Sequence, residues 1–150
     1  MTRQTATIRP AEERDVARLS ELMYEYICDF YQRPRPPETR VVGLIRTLLD
    51  HQAGIQFVAE QNGDLLGFAT LYFTYSTTVC DKSTVMNDLY LTESARGTSA
   101  AESLFRACQS YTREHGYAWM SWETAPDNHR AQRFYEKMGA QKGPWVTYSI

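Results

Sequence analysis

The span from Ser83 to Thr124 constrains the fold more than any other part of the chain. "STVMNDLYL" (83–91) reads as a strand, Ala101 to His115 as an amphipathic helix closed by Gly116, and "YAWMSWET" (117–124) as a second strand. A strand, a helix and a strand in succession form a crossover, which sets two strands in parallel. Upstream, "IQFVAEQNGDLLGFATLYFTY" divides into two strands around Asn62-Gly63-Asp64. Asn-Gly favours a tight hairpin, because both central residues need φ > 0. The "TTVCDKS" turn then leads back into Ser83, so this half of the sheet is antiparallel.

The remaining elements follow from periodicity. "TATIRPA" alternates and reads as a first strand, and from Glu12 the apolar residues Val16, Leu19, Leu22, Met23, Tyr26, Ile27 and Phe30 fall at helical spacing. "QRPRPPE" ends that helix, since proline cannot continue one. Val41 to His51 and Asn128 to Met138 read as further helices, the last stopped by Gly139, and "PWVTYSI" as a closing strand. The order β-α-α-β-β-β-α-β-α-β predicts an α/β chain: a mixed, mostly antiparallel twisted sheet of six to seven strands flanked by about four helices.

The 150 residues suit a single domain over 1–150. Such a length buries about 70% of the unfolded surface, enough for a core without staples. The net charge of −2 argues against a nucleic-acid partner. No run of 18 apolar residues is present to span a membrane, and "MTRQTATIRP" lacks the apolar core of a signal peptide. Cys28, Cys80 and Cys108 are odd in number and far apart, and the three histidines show no ligand spacing. The expectation is therefore a cytoplasmic chain with neither disulfides nor metal.

Between the strand at 83–91 and the following helix lies Arg96-Gly97-Thr98-Ser99-Ala100-Ala101, with no bulky side chain after the arginine. A helix N-terminus leaves about four N–H groups without partners, and with the helix dipole they suit an anion. Small residues let a phosphate reach that backbone, and Arg96 adds a planar cation at the mouth. On these six residues alone, a phosphate cradle and an ordinary loop before a helix are both open.

The surroundings carry a resemblance. The segment is similar to the acetyl-CoA-binding motif of the GNAT superfamily of N-acetyltransferases, Arg/Gln-x-x-Gly-x-Gly/Ala between a strand and a helix. Arg96 matches its first position and Ala101 its last; Ser99 stands where the family has glycine. "IRPAEERDVARL" resembles the family's opening strand and helix, and "WETAPDNHRAQRFYEKMGA" its second signature. The look is nearest to the small polyamine and Hpa-like enzymes, through "NDLYL" and "FYEKMGA".

The resemblance implies acetyl transfer from acetyl-CoA to a primary amine, a small amine or polyamine first, by direct attack. It makes Tyr135 the general acid that protonates the CoA sulfur, although Phe134 and Tyr135 also suit a helix core. It puts the pantetheine arm along Leu89, Tyr90 and Leu91, the pyrophosphate over Gly97 to Ala101, and Asn128 on the pantetheine side. Asn128 equally suits the helix N-cap. The polyamine enzymes carry a glutamate base where this chain has Asn87, whose amide can only orient a water. Asp88 is ionisable, but strand alternation turns it to the opposite face, so the base is open between a water chain and another carboxylate such as Glu123. The oxyanion is expected at a backbone N–H near Leu89.

Glu21, Glu25 and Asp29, spaced by four, form an acidic stripe that with Tyr24 suits a cationic acceptor, or is simply a solvated face. A CoA-binding module with weak or no catalysis, and an enzyme acting on a protein or peptide amine, are the alternatives. The apolar C-terminal run invites pairing with a second copy as a homodimer.

Overall fold

A computed structural model of the chain describes residues 5–150; the first four positions of the leader reading lie outside them. Five strands and four α-helices follow one another among the described residues. They are β1 (Thr7–Pro10), α1 (Val16–Tyr24), α2 (Glu38–Leu48), β2 (Gly54–Gln61), β3 (Asp64–Ser76), β4 (Asp81–Leu91), α3 (Ala100–Glu114), β5 (Met120–Ser121) and α4 (His129–Lys137). The sheet runs in chain order, antiparallel from β1 to β4 and parallel between β4 and β5. The hairpin between β2 and β3 turns on Asn62 and Gly63, both with positive φ (54° and 79°), as its Asn-Gly pair requires.

The sheet has an apolar cluster on each face. Leu19, Leu22, Val41 and Ile45 of α1 and α2 pack on Val58, Phe68 and Tyr90. On the other face Leu104, Phe105 and Cys108 of α3 pack on Phe57, Ala69, Leu71, Met86 and Leu91. The entry into α1 is fixed by charge. The Arg9 guanidinium forks onto Asp15 at 2.7 and 2.8 Å and meets Glu60 of β2 at 2.7 Å, while Asp15 also accepts the Glu12 N–H at 2.8 Å. Arg9 holds the Asp15 carboxyl below its ordinary range.

Four details depart from the sequence expectation. The sheet has five strands rather than six to seven. The run 144–150, read as a closing strand, lies outside the sheet, with Trp145 and Tyr148 each 91% exposed. β-forming residues supply propensity, but a strand also needs a neighbour's N–H and C=O groups. The strand expected at 117–124 shrinks to two paired residues, Thr84 with Met120 and Val85 with Ser121, because β5 turns away from β4 there. Finally, α1 does not run on regularly to Phe30. Residues Glu25–Phe30 wind as a π-helix, a form found mostly as short bulges at functional sites. It brings Tyr26 edge-on to Phe68 and Tyr90, with ring centroids 6.0 and 5.9 Å apart.

Candidate active site

The parting of β4 from β5 creates the site. β4 pairs with β3 as far as Leu91, yet its pairing with β5 stops at Val85. From Met86 to Leu91 its outer edge is uncovered by any strand among the described residues. The Thr92 N–H points back to the Leu66 carbonyl of β3 at 2.8 Å. Main-chain groups alternate in direction along a strand, so Leu89 and Leu91 present theirs to the open edge, and Tyr90 turns its own inward. An extended amide-bearing chain can add to such an edge as a further strand.

At the end of that edge the chain turns into α3. Gly97 takes φ = 81°, which costs a glycine nothing. Thr98 closes the turn: its hydroxyl donates to the Ala95 carbonyl at 2.6 Å and accepts the Ala100 N–H at 3.3 Å. Ser99 is the N-cap, with φ = −73° and ψ = −3°. The side chain that departs from the glycine pattern therefore sits in ordinary helical backbone, without strain. The Ser99, Ala101 and Glu102 N–H groups meet no acceptor among the described residues. Gly97, Thr98 and Ser99 are exposed, so the turn offers a phosphate open donors at the positive end of a 15-residue helix. Arg96 lies back rather than forward: its Nε donates to the Leu91 carbonyl at 3.2 Å, with the guanidinium carbon 5.7 and 5.8 Å from the Tyr90 and Phe30 ring centres.

This geometry carries an expectation for Ser99. Ser99→Gly should change acetyl-CoA affinity by less than about threefold, because no strain is relieved, whereas Ser99→Trp should weaken it at least about tenfold by covering the donors. Isothermal titration of both variants measures this; a large gain in the glycine variant would show that the serine obstructs the turn.

α4 supplies the remaining groups. Asn128 caps it, its Oδ1 accepting the Ala131 N–H at 3.1 Å. Tyr135 rests on a shelf of rings, with centroids 5.2 Å from Trp122, 5.5 Å from Phe134 and 6.4 Å from Phe105. Burial first, then the neighbouring Tyr31 and Asp88, push its hydroxyl up to about 12. The proton therefore stays on Tyr135 at neutral pH.

Other expected residues are engaged within the fold. Arg18 pairs with Glu21 at 3.0 Å, with Glu25 at 3.8 Å and with Asp64 at 3.1 Å. Glu25 also accepts the Tyr90 hydroxyl at 3.2 Å. Asp29 lies in the π-helical turn and is exposed. Tyr24 donates to the Pro36 carbonyl at 3.0 Å, with the Arg35 guanidinium 3.6 Å over its ring. The acidic stripe is thus compensated by an arginine, and Tyr24 clamps the connection to α2. Glu123, the alternative base, is exposed and accepts from the Thr147 hydroxyl at 3.3 Å.

The sequence set Asp88 aside, yet it lies close enough to Tyr26, Tyr72, Cys108 and Tyr135 for its charge to act on all four. A bulge in β4 pairs Asp88 with Thr70 and leaves Asn87 without a partner in the ladder, and no residue pattern in "VMNDLYL" announces the bulge.

The GNAT acetyltransferase family matches residues 20–140 of the chain. An uncharacterized N-acetyltransferase of Bacillus subtilis, YhfO, is 29% identical over 135 residues, covering 90% of this chain and 89% of its own. The D-amino-acid N-acetyltransferase HPA3 of Saccharomyces cerevisiae is 29% identical over 99% of this chain and 92% of its own. Among solved structures, the aminoglycoside N-acetyltransferase AAC(6')-Iy in complex with CoA superposes with a TM-score of 0.83 at 19% identity, over 100% of this chain and 97% of that one. With most of its length matched by the family, the chain belongs to the GNAT acetyltransferases. It is an acetyl-CoA-dependent acetyltransferase. The exposed turn before α3, with its small side chains and unpartnered N–H groups, fits the diphosphate of that cosubstrate, and the uncovered edge of β4 fits its amide-bearing arm.

Proposed function

We propose that the chain acetylates the primary amine of a small molecule by direct attack, with Tyr135 as the general acid. The observation that carries this reading is the uncovered edge of β4 leading into the open turn before α3, with Tyr135 packed on Trp122 and Phe105 and near enough to Asp88 of β4 to feel its charge. Acetyl-CoA supplies the thioester acyl group. Leu89 and Leu91 would hold its arm by main-chain bonds, and Gly97 to Ala101 its phosphates, with Arg96 swinging from Leu91 to assist. The Leu89 N–H would receive the developing oxyanion. Asn128 orients α4 so that Tyr135 faces the sulfur. The small-molecule acceptor is supported by the relatives, one acting on D-amino acids and one on aminoglycosides. Glu25, partly buried and bonded to Tyr90, is the member of the acidic stripe best placed to feel a cationic acceptor.

Calorimetry with acetyl-CoA, followed by free-thiol release over a panel of small amines and peptides, tests the reading. Micromolar to millimolar binding is expected, with turnover of at least one small amine. Cofactor binding without turnover of any amine would instead select a CoA-binding module; no heat at millimolar acetyl-CoA would end both.

A homodimer also fits the structure. Trp145, Val146 and Tyr148 are exposed, and a groove of about 300 Å³ is lined by Tyr117, Trp119, Met120, Trp122 and Met138. The run 144–150 of a second copy would seat there, along the free edge of β5. Light scattering should give twice the 17.3 kDa chain mass, and deletion of 144–150 should give a monomer; a monomeric intact chain would refute this.

A further inference from the structure

We infer that Asp88 is the base that takes the proton of the acceptor ammonium, on its Oδ2 oxygen. This rests on the acetyltransferase reading above and fills the role for which Asn87 has no chemistry.

The placement comes from the bulge in β4. Leu71 pairs with Met86 and Thr70 with Asp88, so Asn87 has no residue opposite it. One extra residue shifts the phase of the strand. Met86 and Leu89, three apart, both pack towards α3, whereas a regular strand would put them on opposite faces. Asp88 accordingly falls in phase with Tyr90, on the side of α1 and its π-helical turn. The ladder is interrupted at the same point, and the Thr70 N–H donates to Asp88 Oδ1 at 2.7 Å. That bond fixes the carboxylate. Among the described residues Oδ2 meets only the Nδ2 of the exposed Asn87, at 3.3 Å. One oxygen anchors the group and the other is left to receive a proton, on the stretch of β4 that β5 has already left.

The surroundings suit that task. Tyr26 from the π-helical turn, Tyr72 from β3, Cys108 from α3 and Tyr135 from α4 lie within reach of this charge; burial first, and Asp88 among their neighbours, makes all four hold their protons more tightly than usual. Burial pushes the Asp88 carboxyl up to about 6, against the opposing pull of Thr70 and Asn87. It is ionised at neutral pH and a stronger base than an ordinary carboxylate. The sequence of steps then balances. Asp88 Oδ2 takes one proton from the ammonium. The freed lone pair forms the C–N bond as the thioester C–S bond breaks. Tyr135 gives its proton to the departing sulfur and regains one from the acylated nitrogen. Asp88 returns its proton to solvent, the single proton that the net reaction releases.

Asp88→Asn in the full chain tests this, since the amide oxygen still accepts from Thr70. With the best amine from the thiol-release panel, kcat/KM should fall about 10²- to 10⁴-fold. The base works only when ionised, so wild-type kcat/KM should drop as pH falls through about 6, and the variant should lack that limb. Calorimetric affinity for acetyl-CoA and the melting temperature should not fall. Asp88→Ala, which also strands the Thr70 N–H, should lower the melting temperature. The inference is overturned if the asparagine variant keeps the acidic limb, stays within about threefold of wild type, or loses cosubstrate affinity and melting temperature together with activity. A wild-type chain that binds no acetyl-CoA would defeat the acetyltransferase reading itself and this inference with it.

Discussion

Replacing Tyr135 by phenylalanine is expected to lower kcat for acetyl transfer by about 10²- to 10⁴-fold, the usual contribution of a positioned proton donor. The change removes one oxygen and keeps the ring, so the contacts with Trp122, Phe134 and Phe105 persist. Melting temperature and acetyl-CoA affinity should therefore stay near wild type. The pH profile supplies a second check. Burial pushes the Tyr135 hydroxyl up to about 12, and an acid acts only while protonated. Its loss would begin only as pH rises towards that value, well above the working range. A kcat unchanged in the phenylalanine variant would remove Tyr135 from the mechanism, leaving the sulfur to be protonated by water.

Gly67→Ala should be the most damaging single methyl in the sheet. Gly67 of β3 lies opposite Leu91 of β4. A Cβ there would stand 2.3 Å from the Tyr90 carbonyl oxygen, 2.5 Å from Leu91 Cδ2 and 3.1 Å from Leu91 Cα. Two of those atoms are backbone, so relief requires β4 to move. Overpacking of this kind costs about 1–3 kcal/mol and occasionally more, which for a chain of this size lowers the melting temperature by roughly 2–4 °C per kcal/mol. The shift falls on the segment whose outer edge carries Leu89 and Leu91, so acetyl-CoA affinity should fall too. Gly43→Ala in α2 is the control: nothing lies within 4 Å of its Cβ, and removing a helical glycine should stabilise by about 0.5–1 kcal/mol. Thermal melts of the two variants moving in the same direction would contradict the packing described here.

Ser99 and Asp88 show how differently two neighbouring parts of one site can be read. Ser99 departs from its family's glycine, and whether that matters depended on its φ. A value of −73° makes the serine harmless to the backbone, and the turn keeps its open donors. Asp88 carried no such flag. Strand alternation set it opposite Asn87, and a bulge leaves Asn87 itself unpaired in the ladder. The acidic stripe rests on a similar count, whose α-helical spacing runs into a π-helical turn starting at Glu25.

The residue order alone determined the local elements. The apolar periods of α1 and α3, the Asn62-Gly63 hairpin, the glycines after α3 and α4, and the bare turn at 96–101 all depend on bonds within a few positions, and chemistry at that range is written in neighbouring residues. Only the tertiary structure decided the number of paired strands, the point where β5 leaves β4, the bulge at Asn87 and the pairing of Arg18 with Asp64. Each of these is a contact between segments distant in the chain. Ladder partners, burial and charge pairing are properties of two surfaces brought together, and no single stretch of sequence contains both.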